Sequence, residues 1–281
     1  MDKHLSRWFP VFVLPTLTAF AVAFLVPFGM GVWLSFHRFT TVTNTRFVGL
    51  ENYIRAFAED DSFVGALWFS ALFTLVCLVL VNLLAFVLAL ALTRSRRSTT
   101  LLRGIFFMPN LIGGIVLGYV FSLLVNGLLG FFGVDITFSA TYGFWGLVSL
   151  NVWQLTGYMM IIYIAGLQNV PGELLEAAAI DGADGWTTLW RVKIPLVMPA
   201  ITICTFLTLT NSFKLFDQNL ALTAGAPERQ TQMLALDIYN TFYGRIGWQG
   251  VGQAKAVLFF LLVATIAGLQ LWLTRRREVD A

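Results

Sequence analysis

Residues 176–199 read EAAAIDGADGWTTLWRVKIPLVMP, a polar, alanine-rich interruption in a chain that is otherwise largely apolar. The segment GELLEAAA, residues 172–179, is built from strong helix formers and carries acids in its first turns, where the helix dipole favours them. Asp181-Gly182 is a turn pair that ends this helix. ADGWTTLWRVK then reads as a second short helix, and Pro195 and Pro199 fall in the first turns of the next apolar run. Glu176, Asp181, Arg191 and Lys193 are left available for charged contacts, while Ala177 and Ala178 let another surface approach closely. Physical chemistry alone leaves two readings open: an amphipathic loop lying on a membrane surface, or a docking element for another chain.

Working outward, the 281 residues are 58% apolar and only 12% charged, against roughly a quarter charged in soluble domains. This balance predicts an all-α, polytopic membrane helix bundle in a single transmembrane domain, 1–281. Crossing a bilayer takes about 20 helical residues. Six apolar runs satisfy this, near 9–36, 63–93, 104–125, 143–168, 194–216 and 253–274. The first continues through Pro27 and Gly29 into WLSF without a small-residue cleavage site, so it reads as a span and not as a signal peptide. Basic residues near span ends set the orientation. With the N-terminus inside, the inner segments hold Lys3, Arg7, Arg94, Arg96, Arg97, Arg103, Arg191, Lys193 and Arg275 to Arg277. The outer segments hold Arg38, Arg46, Arg55, Arg229 and Arg245. Both termini and the segment 171–193 are therefore expected in the cytoplasm. The net charge of +3 resides in these topology clusters, which gives no reason to expect nucleic acid as a partner.

Several chemistries are excluded by what is missing. The two histidines, His4 and His37, flank the first span and cannot assemble a metal site or a catalytic triad, so no catalytic and no metal-binding residue is expected. No G-x-x-x-x-G-K-[ST] stretch is present to cradle phosphates. Cys77 and Cys204 lie inside apolar runs and read as buried small hydrophobes. The spans carry no mid-membrane acid of the kind an ion-coupled carrier uses. Lys214, Asp217 and Lys255 fall toward outer span ends, where a lysine can snorkel to the headgroups, and Lys214 and Asp217 are expected to pair there. The chain has no energy source of its own.

The quoted stretch resembles the EAA signature of the integral membrane subunits of binding-protein-dependent ABC importers. The match runs through Glu176, Ala177, Ala178, Asp181, Gly182, Ala183, Ile194, Pro195 and Pro199, with Ile194 directly adjacent to Pro195 where the family has an intervening leucine. FVGLENYIRAF (47–57), NVWQLTGYMM (151–160) and the 211–243 region with its LTAGAP element are similar to the carbohydrate branch, the first of two paired sugar permeases of maltose type; Ala226 stands where that pattern has a second glycine. The resemblance implies a type I importer permease fold whose 171–193 segment is a cytoplasmic coupling helix seated in an ATPase subunit. Glu176 would then make a charge-assisted contact, and Gly182 would permit the turn. The implied partners are a second, different permease, two cytoplasmic ATPase subunits, an extracytoplasmic sugar-binding protein and the lipid bilayer of a bacterial or archaeal cell membrane. No cofactor is implied on this chain, since ATP and magnesium would be held by the ATPase. The implied cargo is a sugar, an oligosaccharide in particular. Glycerol phosphate, amino acids or peptides are the alternatives.

A sugar offers hydroxyls and apolar ring faces, so its pathway calls for amides or hydroxyls beside an aromatic. Asn151, Gln154, Leu155 and Tyr158 on the fourth span and Thr208, Asn211 and Ser212 on the fifth are the candidates. Asn151, Leu155 and Tyr158 share one helical face by their i, i+4, i+7 spacing. Hydrogen bonding between helices is the competing role for each polar member.

Overall fold

Proline and glycine decide where the apolar runs break. The computed structural model describes residues 3–41, 43–94 and 97–275, with side chains at 11–41, 43–94 and 98–274. Arg96, Arg276 and Arg277, counted above toward the inner face, lie outside the described residues, as do the side chains of Lys3, His4, Arg7, Arg97 and Arg275. By their internal contacts the residues group into two compact units, one of 1–61 with 238–260, the other of 62–237 with 261–281.

The first unit opens with α1 (Lys3–Phe20), a π-helical turn (Ala21–Leu25) and α2 (Val26–Ser35), of which Val11–Ser35 is long and apolar enough to span a bilayer. A hairpin follows that the all-helical reading did not foresee: β1 (His37–Thr41) pairs antiparallel with β2 (Asn44–Phe47). Its β-branched threonines favour a pleated surface. Next comes α3 (Glu51–Ala58), tied back to the end of α2 by Asn52, whose Nδ2 donates to the carbonyls of Ser35 and His37 at 2.8 and 2.9 Å.

Lys255 departs from expectation. It is 0% exposed, its Nζ donates to Asp60 Oδ2 at 2.7 Å and to Thr241 Oγ1 at 2.8 Å, and Arg245 Nη1 approaches the same carboxylate at 3.0 Å. An ammonium removed from water needs a counter-charge and further acceptors. Asp60, two residues beyond the C-terminus of α3, supplies the charge, so the side chain points inward and does not snorkel.

In the second unit most of α4 (Asp61–Leu92) leads to α5 (Arg97–Phe107), a 3-10 turn (Met108–Leu111) and α6 (Gly114–Leu129), which continues as a 3-10 turn (Gly130–Phe132). The third apolar run, expected near 104–125, is therefore interrupted, and the stretch long enough to span is Gly114–Phe132. Pro109 has no N–H to donate and clashes with the preceding turn, and Gly113-Gly114 contributes little helix propensity. Then come α7 (Ala140–Gln168), α8 (Gly172–Ile180), α9 (Gly185–Thr188) with a π-helical turn (Leu189–Lys193), α10 (Ile194–Leu196), α11 (Met198–Phe213) and α12 (Asp217–Leu222). Two last helices, α13 (Leu234–Gly244) and α14 (Gln249–Arg275), cross from one unit to the other. The fifth run, expected at 194–216, bends by 71° at Val197 and ends at Phe213. Pro199 lies four residues after Pro195, so its missing N–H removes the bond that would carry the helix across Val197. Among the described residues, five helices are long and apolar enough to cross a membrane, and a sixth if the bent pair counts as one.

Helix α7 is the buried axis of this unit. Its Met159, Met160 and Tyr163 pack with Val81, Ala85 and Ala89 of α4 and with Ala200 and Cys204 of α11. Nearer its N-terminus, Leu147 and Leu150 pack with Phe73 and Cys77 of α4 and Leu117 of α6. Membrane helices gain little from hydrophobic burial against one another, so close backbone approach at small residues matters more. The tightest approach is at Gly157, where an added Cβ would lie 1.8 Å from the carbonyl oxygen of Phe106 at the end of α5. The obstacle is backbone and cannot rotate aside.

We therefore expect Gly157→Ala to force α5 off α7 at a cost of about 3 kcal/mol, lowering the melting temperature of the purified protein. Gly113→Ala, where an added Cβ meets nothing within 4 Å, serves as the control and should melt near the parent.

Candidate functional site

Broken helices leave polar groups that a continuous helix would hide. In the second unit a cavity of about 320 Å³ is lined by Asn110, Asn151, Gln154, Leu155, Asn211, Lys214, Leu215, Phe216, Asp217 and Gln218. Asn110 comes from the 3-10 turn after Pro109, the next three from α7, and Asn211 from the last turn of α11. The remainder comes from the chain that leaves α11 and enters α12. Pockets for small molecules start near 300 Å³.

Four of the five amides in this wall are held in place. Gln218 Nε2 donates to Gln154 Oε1 at 2.7 Å, joining α12 to α7. Asn151 Nδ2 donates to Ser212 Oγ at 3.1 Å, joining α7 to α11, and Asn211 Nδ2 donates to Leu207 O at 2.8 Å within α11. Asp217 and Gln218 reach the cavity because α12 lies against α6 at glycines: a Cβ on Gly114 would meet Asp217 Cβ at 2.7 Å, and one on Gly118 would meet Ala221 Cβ at 2.8 Å. Fully buried Asn219 completes the anchoring. Its Nδ2 donates to Thr231 O at 2.8 Å and its Oδ1 accepts from Met233 N at 2.9 Å, so one side chain satisfies backbone groups of the non-helical segment after α12.

Four of the seven pathway candidates, Asn151, Gln154, Leu155 and Asn211, meet at this cavity. Ser212 and Thr208 are fully buried behind it, and Ser212 holds Asn151. Tyr158 lies off the wall, its ring 6.4 Å from that of Phe107. Lys214 and Asp217 both line the cavity, and no ion pair between them occurs among the described residues. The expected surface pairing is replaced by two charges on one wall, because the helix ends at Phe213 and the chain turns between them. Sequence reasoning missed Asn110 and Gln218. The signals were there: an amide directly after the proline that breaks the third run, and one directly after Asp217.

The second site is the segment quoted at the outset. Within α8, α9 and the π-helical turn no residue is buried. Gly182 has φ +78, a backbone conformation that disfavours side chains, and the turn it makes separates α8 from α9. Asp184 caps α9, its Oδ1 accepting from Thr187 N at 2.9 Å. The Thr187 side chain and backbone N–H together hold the Asp184 carboxyl below the usual carboxylate range, so this cap is intact at neutral pH and is lost only as pH falls through that lowered value. A recess of about 610 Å³ is lined by Ala178, Asp181, Gly182, Ala183, Asp184, Thr187, Arg191 and Val192. Ile180 beside it is 86% exposed, and the Trp186 and Trp190 rings stack edge to face at 5.7 Å on the outside. Glu176 and Ala177 stand exposed on α8 next to it.

Residues 82–279 match the family of binding-protein-dependent transport system inner membrane components. The chain is 40% identical to the probable starch degradation products transport system permease protein AmyD of Thermoanaerobacterium thermosulfurigenes, over 97% of this chain and 96% of that one. It is 32% identical to the multiple sugar-binding transport system permease protein MsmF of Streptococcus mutans, covering 97% of each. Its fold is similar to a chain of a bacterial ABC transporter involved in import of the acidic polysaccharide alginate, with a TM-score of 0.81, 18% identity and 98% of both chains covered.

The anchoring of α12 can be tested directly. Asn219→Ala leaves two buried backbone groups without partners, which costs about 2 kcal/mol. It should lower the melting temperature and detach Gln218 from Gln154, so that a tryptic site at Arg229 becomes more rapidly cut than in the parent.

Proposed function

Because the chain belongs to the family of binding-protein-dependent transport system inner membrane components, we propose that it forms one half of the translocation pathway of an ATP-driven importer of neutral oligosaccharides. It is a multi-pass inner membrane transport component and not an enzyme. The amide-rich cavity carries the sugar reading. Asn110, Asn151, Gln154, Asn211 and Gln218 offer donors and acceptors to hydroxyls, and Leu155 and Phe216 offer apolar surface to ring faces. The one ammonium in the wall, Lys214, is balanced by Asp217, which disfavours a phosphate or a dicarboxylate as cargo. The names of the relatives AmyD and MsmF agree with this class.

In this reading the other half of the pathway is a second, different permease, and a sugar-binding protein delivers cargo from outside. Two ATPase subunits sit in the cytoplasm and hold the ATP and magnesium, and both termini of this chain face them. The segment 171–193 is the coupling element. Its Glu176, Ala177, Ala178, Asp181, Gly182 and Ala183 enter a cleft of one ATPase. No residue of α8, α9 or the π-helical turn is buried, and Trp186 and Trp190 are 67% and 54% exposed, which supports a covering partner. Closure of the ATPases on nucleotide would draw the coupling elements together and favour the outward-open pathway, and a loaded binding protein would favour that closure in return.

Two experiments test these assignments. Asn151→Ala and Asn211→Ala each remove sugar contacts of about 1 kcal/mol, so uptake of a labelled maltooligosaccharide should weaken several-fold while the complex assembles normally. Parent-level uptake by both would remove the cavity from the pathway. Glu176→Lys and Gly182→Val should leave membrane insertion intact but release the ATPase subunits on purification, or leave ATP hydrolysis deaf to the loaded binding protein. A full complement of ATPase and normal transport in both variants would return 171–193 to a plain interfacial loop.

A further inference from the structure

The helix α3 buries an asparagine and an alanine and turns its large apolar residues outward. Its buried positions are Asn52 and Ala56, one helical turn apart. The stripe on the opposite face, Leu50, Ile54 and Phe57, is 62%, 64% and 54% exposed, and Tyr53 and Ala58 flank it in one apolar depression. A helix resting on a protein core in water has the reverse arrangement. The charged side chains are engaged away from this stripe: Glu51 with Arg38, and Arg55 with Glu59 at 2.8 Å while its guanidinium stacks on Trp248 at 4.5 Å.

The position of α3 is fixed at the end of a membrane-spanning helix. Asn52 holds the carbonyls of Ser35 and His37, and Tyr53 Oη lies 2.6 Å from Ser35 Oγ, Ser35 being the last residue of the Val11–Ser35 span. Met30 and Trp33 of α2 and Phe47 of the hairpin are also about half exposed or more. A tryptophan in the last turn of a span belongs at the level of the lipid headgroups. From this outward-facing apolar stripe, the anchoring to the span end and the exposed apolar residues of the neighbouring elements, we propose that α3 lies flat in the bilayer interface, with Leu50, Ile54 and Phe57 inserted among the upper acyl chains. Such helices bury their apolar face about 5–10 Å into the headgroup and acyl boundary. In that place α3 is a lipid-seated anchor for the end of the first span and for the hairpin that follows it.

Nitroxide labels on Ile54→Cys, Phe57→Cys and Glu59→Cys, in the assembled importer reconstituted into phosphatidylethanolamine and phosphatidylglycerol vesicles, test the proposal by power saturation. Cys77 and Cys204 are buried and stay unlabelled. Labels at 54 and 57 should collide with oxygen several-fold more than with a water-soluble nickel chelate, and the label at 59 should show the opposite preference. Nickel-dominated collisions at both 54 and 57 would place the face in water. Low collision rates with both reagents there would mean that a protein partner covers it. Either result overturns the lipid assignment, and neither bears on the cargo or the coupling element.

Discussion

The close approach of other backbone and side chains to the glycines of α7 is the contact on which the second unit depends. Gly157 admits the Phe106 carbonyl, Gly146 admits Ile136, and Gly166 admits Ala200. Lipid tails are as apolar as leucine, so nothing drives membrane helices together except packing quality and polar contacts. A column notched at these points can be approached closely by three different segments at three heights. The same helix presents Asn151, Gln154 and Leu155 between the notches. Packing and one wall of the cavity are thus set by one element.

A second constraint follows from the first. Non-helical backbone at membrane depth is tolerated only where it is buried in protein or lines a polar space. The segments that break here, 108–113 and 214–216, adjoin or line the cavity, and Asn219 satisfies the backbone just beyond. Helix breaks and polar wall coincide: the chain that leaves the helix at Pro109 contributes Asn110, and the chain that leaves α11 after Phe213 contributes Lys214 to Phe216. Lys255 and Asp60 obey the same rule in the first unit, where a buried ammonium is matched by a buried carboxylate.

Much of this was legible in the residues. Apart from the third, which breaks at Pro109, the apolar runs marked the helices within a few positions, because a 20-residue apolar stretch has few alternatives in a bilayer. EAAAIDGA announced an exposed helix and a tight turn, and Gly182 has the positive φ such a turn needs. Asn151, Gln154 and Asn211 stood out as amides in apolar helices, where polar groups are costly, and with Leu155 they line the cavity. Other features depended on distance in the chain. Lys255 pairs with Asp60 across 195 positions, and no local pattern announces that. Lys214 and Asp217 looked like surface neighbours because their spacing suits a continuing helix; the helix ends at Phe213, before either of them. The hairpin at 37–47 was hidden by the helical composition on both sides, and Tyr158 shares a helical face with Asn151 yet sits beyond the cavity's edge.

The most direct test of the account is a cryo-electron microscopy map of the assembled importer with a maltooligosaccharide trapped during transport. The account predicts sugar density between α7, the end of α11 and the start of α12, with hydroxyls in hydrogen-bond reach of Asn151, Gln154, Asn211 and Gln218. Ordered sugar elsewhere in the pathway, touching none of these four amides, would contradict it.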